Sequence, residues 1–298
     1  VDKPSLCVFG EVLFDCFPDG RHVLGGAPFN VAWHLQAFGA APRFVSAVGE
    51  DADGEKIRAG MRHWGMLTSD LQTDPDHPTG RVRVSLENGE PSYDIVPDSA
   101  YDFIRTPTEM GPFALVYHGT LALRQPVSEA TLSGIKSAEP DLVFLDVNLR
   151  APWWSRDKTL ALVTEADWVK LNEHELAMLA GAAAASARPI PELARDFMEQ
   201  HDLSGLIVTM GSEGALGLIK GSEPVRVAPQ PALEVVDTVG AGDAFAAVTI
   251  LGIVNGWSLD KTLSRAQSFA SKIVGQRGAT EANPDLYQPL VDQWGLAN

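Results

Sequence analysis

The sequence predicts an α/β protein: a doubly wound, mostly parallel sheet flanked by helices, with a small β-sheet lid. Three observations predict it. Apolar runs at 115–117, 142–147, 168–171 and 206–209 alternate with helix-compatible stretches, the pattern of strands covered on both faces by crossover helices. Between Gly80 and Val96 the pattern changes to period two, with Val82, Val84 and Leu86 alternating with Arg81, Arg83 and Ser85. A strand pair with one polar face does not belong inside a fully covered parallel sheet. Finally, Phe245 to Val254 is apolar all round and follows a Gly-x-Gly turn, as in a buried central helix.

From the N-terminus, the apolar runs Leu6 to Phe9 and Val12 to Phe17, separated by Gly-Glu, then the turn Pro18-Asp19-Gly20 and the run His22 to Leu24 read as strand, turn, strand. Gly25-Gly26 then opens a helix carrying Val31, Leu35 and Phe38 on one face and closed by Gly39. Arg43 to Val48 is the next strand, and Asp51 to Trp64 an amphipathic helix with Ile57, Met61 and Trp64 in register. The 80–96 segment, turning at Asn88-Gly89 and continuing through Tyr93 and Ile95, is a β-hairpin. It pairs with the strands near 12–24 to form the lid. Residues 1–298 are expected to be one domain, the lid drawn from about 11–26 and 79–98 and the α/β core from the remainder.

Composition narrows the function. Lys and Arg number 23 against 39 Asp and Glu, a formal net charge of −16, which argues against nucleic acid as a partner. No stretch reaches the ~18 apolar residues of a membrane span, and no basic leader precedes Glu11, so a cytoplasmic protein is expected. Cys7 and Cys16 lack metal-ligand or disulfide-framework spacing.

The stretch richest in chemistry is Asp237-Thr238-Val239-Gly240-Ala241-Gly242-Asp243, a small-residue turn leading into the buried helix. Unpaired N–H groups and positive potential at a helix N-terminus make an anion site, and small residues let a phosphate come close. An Asp at a helix start is usually a cap. Inside a phosphate site its natural task is to accept a proton from a hydroxyl attacking phosphorus.

Further stretches accompany it: Gly25-Gly26-Ala27-Pro28-Phe29-Asn30, Val48-Gly49-Glu50-Asp51-Ala52-Asp53-Gly54, Asn172-Glu173-His174-Glu175 and Thr209-Met210-Gly211-Ser212-Glu213-Gly214. In order and separation these resemble the ribokinase-type carbohydrate kinase family over nearly the whole chain, which implies a ribokinase-like fold and an ATP-dependent sugar kinase. The resemblance implies that Asp243 is the catalytic base and that the amides of Gly240, Ala241 and Gly242 form the anion hole. It assigns Asp15, Gly26 and Asn30 to the sugar, since a carboxylate and an amide serve neighbouring hydroxyls. Asn172 and Glu175 correspond to the pair that holds magnesium and the ATP phosphates through water. Thr209, Gly211, Gly214 and Gly242 correspond to nucleotide contacts, and Asp237, Val239 and Gly278 to a potassium site. Asp146, Asn148 and Arg150, a D-x-N-x-R run at a strand's C-terminal end, are expected to line the site.

Gly10-Glu11-Val12-Leu13-Phe14-Asp15, the Gly-Gly-Ala-Pro turn and His118-Gly119-Thr120-Leu121-Ala122-Leu123-Arg124 lean toward the fructokinase branch. Ala27 stands where ribokinases usually carry Lys. Fructose is therefore the leading substrate and fructose 6-phosphate the leading product. The alternatives are 2-keto-3-deoxygluconate kinase, which would need a basic contact such as Arg81, Arg83 or Arg105, and, from another class, a non-catalytic sugar- or nucleotide-binding regulator. The lid also offers a surface for a homodimer.

Overall fold

The structure, a computed structural model, describes residues 5–87, 90–109, 111–181, 188–229, 239–276, 278–280 and 282–296. The predicted turn at 88–89 and Asp237 lie outside them. The chain begins with β1 (Leu6–Phe9), leaves it for β2 (Leu13–Cys16) and β3 (His22–Gly25), and returns through α1 (Ala27–Ala37) to β4 (Arg43–Gly49), α2 (Ala52–His63) and β5 (Leu71–Asp74). The hairpin β6 (Gly80–Glu87) and β7 (Glu90–Ile95) follows. Then come β8 (Leu115–His118), α3 (Pro126–Lys136), β9 (Val143–Asp146), α4 (Arg156–Thr164), β10 (Trp168–Asn172) and α5 (Glu173–Ala180). The chain continues with α6 (Ile190–Gln200), β11 (Gly205–Thr209), β12 (Ala215–Ile219), β13 (Val225–Val227), α7 (Ala241–Val254), α8 (Leu259–Val274) and α9 (Gln288–Trp294).

Among the described residues the large sheet has nine strands, in the order β13-β12-β11-β10-β9-β8-β1-β4-β5. From β5 to β11 every pairing is parallel, and β11-β12-β13 closes the far edge antiparallel. The sequence pattern marked neither β5 nor β13. β5 reads Leu-Gln-Thr-Asp with a half-exposed centre, and β13 has three residues, too few for a period to appear. Strand order reverses at β1, which has β4 on one side and β8 on the other. Open α/β sheets place their crevice at such a switch, beyond the C-terminal ends of the strands.

The second sheet has the order β3-β2-β6-β7, with β2 and β6 parallel and the outer pairs antiparallel. Its alternation is the predicted one: Val82, Val84 and Ile95 are buried while Arg81, Arg83 and Ser85 face solvent. This half-wet sheet stands apart from the covered one, as its polar face requires.

Asp51 ties the two sheets together. Its carboxylate caps α2 by accepting from Gly54 N at 2.8 Å, and it also accepts from Thr79 N at 2.8 Å and Thr79 Oγ1 at 2.7 Å. Thr79 Oγ1 in turn accepts from Gly49 N at 3.0 Å. The Val48–Gly54 stretch thus anchors the start of β6 at the end of β4. Buried from Ala244 to Gly252, α7 is packed between α1 and α8, which holds its first turn at the crevice. Among the described residues no helix is long and apolar enough to cross a membrane.

Candidate active site

At the head of α7, Gly240 is the N-cap, with φ 81° in the left-handed region where a side chain is disfavoured. Space demands glycine too, because a Cβ there would lie 2.4 Å from that of Ala279. The first intrahelical bond runs from Ala244 N to Gly240 O at 2.9 Å. The N–H groups of Ala241, Gly242 and Asp243 therefore precede the helix ladder and are open to an anion.

Asp243 occupies the same first turn, and Asn30 of α1 donates from Nδ2 to its Oδ2 at 2.7 Å. Burial above all pushes the Asp243 carboxyl up to about 6, with Asp146 adding to the rise, while the Asn30 donation and the charges of Lys170 and Arg150 oppose it. A carboxylate titrating near neutrality suits a general base.

The sugar-side positions come from the other sheet. Asp15 lies on β2, with its Oδ2 3.4 Å from where a Cβ on Gly25 would stand. Gly26 is the N-cap of α1 with φ 108°, and a Cβ there would come within 2.7 Å of the Glu11 carbonyl oxygen. Asp15, Gly26, Asn30, Val239, Gly240, Gly242, Asp243 and Gly278 all line one cavity of about 1040 Å³. Val82, Tyr93 and Ile95 of the hairpin line it as well. Positions separated by more than 200 residues in the sequence thus share one chamber.

The D-x-N-x-R run divides. Asn148 and Arg150 line the cavity, but Asp146, expected there, lies beneath it with only 2% of its surface exposed. It receives Lys170 Nζ at 2.9 Å on each carboxylate oxygen, and Tyr117 Oη at 3.3 Å on Oδ2. The reason is position along the chain: Asp146 is the last residue of β9, still within the sheet and the register partner of Lys170 on β10, whereas Asn148, at φ 39°, lies past the strand end.

On the nucleotide side, Asn172 and Thr209 face each other across the C-terminal ends of β10 and β11. Asn172 and Glu175 form a reciprocal capping box: Asn172 Oδ1 accepts from Glu175 N at 2.9 Å, and Glu175 Oε2 accepts from Asn172 N at 2.8 Å. Glu175 Oε1 accepts from Leu149 N at 2.8 Å. Gly211 and Gly214 flank a tight turn between β11 and β12, closed by Gly214 N donating to Gly211 O at 3.2 Å. Neither these positions nor Ala241 belong to the wall of the large cavity. Among the described residues, no group of three or more His, Cys, Asp and Glu could hold a metal on its own.

Two participants escaped the sequence reading. Glu11 lines the cavity and is 3% exposed; its Oε2 is buried and has no hydrogen-bond partner among the described residues. Burial pushes its carboxyl up to about 7, against the pull of Arg150 and Arg124. Lys170 is buried on β10 beside the head of α7. The only signals were a Glu directly after an apolar strand and a Lys inside the run Trp168–Leu171. The arginines considered for an acidic substrate lie elsewhere: Arg81 pairs with Asp53 at 2.6 Å, Arg83 pairs with Asp94 at 3.1 Å, and Arg105 is exposed.

Known proteins resemble this chain over nearly its whole length. Residues 4–286 match the family described as pfkB family carbohydrate kinase. Fructokinase from Klebsiella pneumoniae is 30% identical, over 96% of this chain and 99% of that one. Aminoimidazole riboside kinase from Salmonella typhimurium is 28% identical, over 93% of this chain and 91% of that one. The crystal structure of Vibrio cholerae fructokinase with fructose, ADP and calcium ion bound has the same fold, with a TM-score of 0.80 at 24% identity, covering 99% of this chain and 100% of that one.

Proposed function

Because the chain belongs to the pfkB family of carbohydrate kinases, whose members transfer a phosphoryl group to a sugar hydroxyl, we propose that it is an ATP-dependent fructokinase forming fructose 6-phosphate. The observation that carries this reading is the Asn30–Asp243 contact of 2.7 Å at the open N-terminus of α7, inside a chamber walled by the small sheet.

In this mechanism Asp15, the Gly26 backbone and Asn30 hold the sugar so that one hydroxyl meets Asp243. Asp243 takes the proton while the hydroxyl oxygen bonds to the γ-phosphorus. The bond from that phosphorus to the bridging oxygen breaks, and ADP leaves with the electron pair. The amides at 240–242 face the charge on the group in transit. Thr209, Gly211 and Gly214 hold the nucleotide. Fructose is favoured over 2-keto-3-deoxygluconate because Arg81, Arg83 and Arg105 do not belong to the cavity wall, whose hairpin side is apolar through Val82 and Ile95. Arg150 and Arg21, which line the cavity, keep the sugar acid as a second reading; the carboxyls of Glu11 and Asp243 compete for the charge of Arg150, and Asp19 pairs with Arg21 at 2.6 Å.

Magnesium would enter with ATP, held by Glu175 and Asn172 through its own waters. Both Glu175 oxygens already accept backbone N–H groups, leaving lone pairs for water and suiting an ion that keeps its hydration shell. Bound there, it would neutralise phosphate charge. Val239 and Gly278 would offer backbone carbonyls to potassium, together with Asp237. The contact of Gly240 with Ala279 sets those two loops side by side. Sugar binding would draw the small sheet closed as a lid and exclude water, within a single domain. Its exposed rim, where Tyr93 borders the cavity and is 54% exposed, is our choice for a homodimer contact, which light scattering would test.

The deciding experiment is ADP release by purified protein with Mg-ATP, in potassium or in choline salt. Fructose, 2-keto-3-deoxygluconate, ribose, glucose and a nucleoside would be compared with a no-sugar control. Selective turnover of fructose supports the proposal, and selective turnover of another sugar reassigns the pocket. Nucleotide and sugar binding without turnover would mark a regulator.

A further inference from the structure

Lys170 is the one charged residue in the run Trp168–Leu171 of β10, and its side chain is 7% exposed. Its ammonium lies 2.9 Å from both oxygens of Asp146. It also lies 3.6 Å from where a Cβ on Gly242 would stand, so it is set directly against the first turn of α7. Gly242 itself is exposed and lines the cavity.

The placement is hard to explain by stability alone. A buried ion pair rarely stabilises a fold more than apolar side chains of the same volume. Here the ammonium also sits beside a helix N-terminus, which already carries positive potential. Two sources of the same sign converge on one spot, and that becomes favourable when an anion arrives between them. Asp146 on one side and Asp243 on the other balance the charge in the free protein. Tyr117, donating to Asp146, holds that carboxylate in place.

We propose that Lys170, positioned by Asp146, is the fixed cation of the phosphoryl-transfer site, supplementing the amides of α7 as negative charge moves between ATP and the sugar. The proposal rests on the kinase reading above, and it separates Lys170 from the sugar-binding set: its charge acts on phosphate and leaves the sugar hydroxyls to Asp15 and Asn30.

The test compares Lys170→Met, Lys170→Arg and the double variant Lys170→Met/Asp146→Asn, with melting temperature followed throughout. Lys170→Met should lower kcat by about 10²-fold or more, the scale of losing one preorganised charge-stabilising group, with KM for the sugar changed less than about threefold. Lys170→Arg should recover part of kcat. The double variant removes the uncompensated Asp146 charge, so it should regain melting temperature while kcat stays down. A double variant within about threefold of wild-type kcat would overturn the proposal, because Lys170 would then only neutralise Asp146.

A second measurement needs no turnover. Calorimetric binding of AMP-PNP should weaken about tenfold or more in Lys170→Met while binding of AMP holds, and equal loss for both nucleotides would also overturn the proposal. Absence of sugar-dependent ADP release by the wild type would instead defeat the kinase reading, and the binding comparison would still decide the role of Lys170.

Discussion

Asn30 and Asp243, 213 residues apart in sequence, are joined by a 2.7 Å hydrogen bond in which the amide donates to the carboxylate. The bond orients the Asp243 carboxylate at the anion site and favours its charged form. Asp243→Asn keeps the shape and removes the base. Its kcat should fall by about 10²- to 10⁴-fold, the range for general acid–base catalysis, with sugar affinity from calorimetry changed far less. Near-normal kcat would remove Asp243 from the mechanism.

The pH profile follows from the same pair. Asp243 must be ionised to accept a proton, and burial puts its carboxyl at about 6, so activity should decline as pH falls through 6. Asn30→Leu removes a donor that favours the ionised form and should move this acidic limb upward. The ratio of kcat at pH 8 to kcat at pH 6 should therefore exceed that of the wild type. An unchanged ratio would show that the bond does not tune the base.

Glu11 predicts how stability varies with pH. Burial raises its carboxyl from 4.5 to about 7, so the folded state binds that proton more tightly than the unfolded chain. Such a group contributes stability that is fully present below the unfolded value and is lost as pH rises through the folded one. Glu11→Gln should narrow the difference in melting temperature between pH 5 and pH 8. A difference as large as in the wild type would mean that Glu11 does not titrate in this window.

Thr79→Val tests the tie between the sheets. The hydroxyl accepts from Gly49 N and donates to Asp51, so valine leaves a buried N–H without its partner. That should cost about 1–3 kcal/mol in urea unfolding, with KM for the sugar rising more than kcat falls, because the hairpin forms one wall of the cavity. A stability change below about 0.5 kcal/mol, within ordinary surface-substitution scatter, would argue that the tie is dispensable.

If the small sheet closes over bound sugar, amide exchange in β6 and β7 should slow on adding fructose. Protection of about tenfold at Val82 and Val84 is expected, with the β9–β10 core unchanged. Identical exchange with and without sugar would leave the hairpin as a fixed wall.

Local pattern carried much of this protein's architecture. The period-two alternation at 82–86, the continuous apolar strands and the apolar helix after Gly240 each reflect one segment's own burial, so neighbouring residues suffice to read them. The small-residue turn before a helix singled out Gly240, Gly242 and Asp243 by its own chemistry, while Asp15, Gly26 and Asn30 were singled out by the resemblance to the carbohydrate kinase family. Tertiary structure decided what depends on register and on packing between distant segments. It held Asp146 beneath the cavity against Lys170, buried a Glu11 oxygen with no partner among the described residues, and made Asp51 and Thr79 a joint between two sheets. None of these follows from a residue's neighbours in the chain: burial and pairing are set by what the folded backbone brings alongside, and that is a property of the whole sheet.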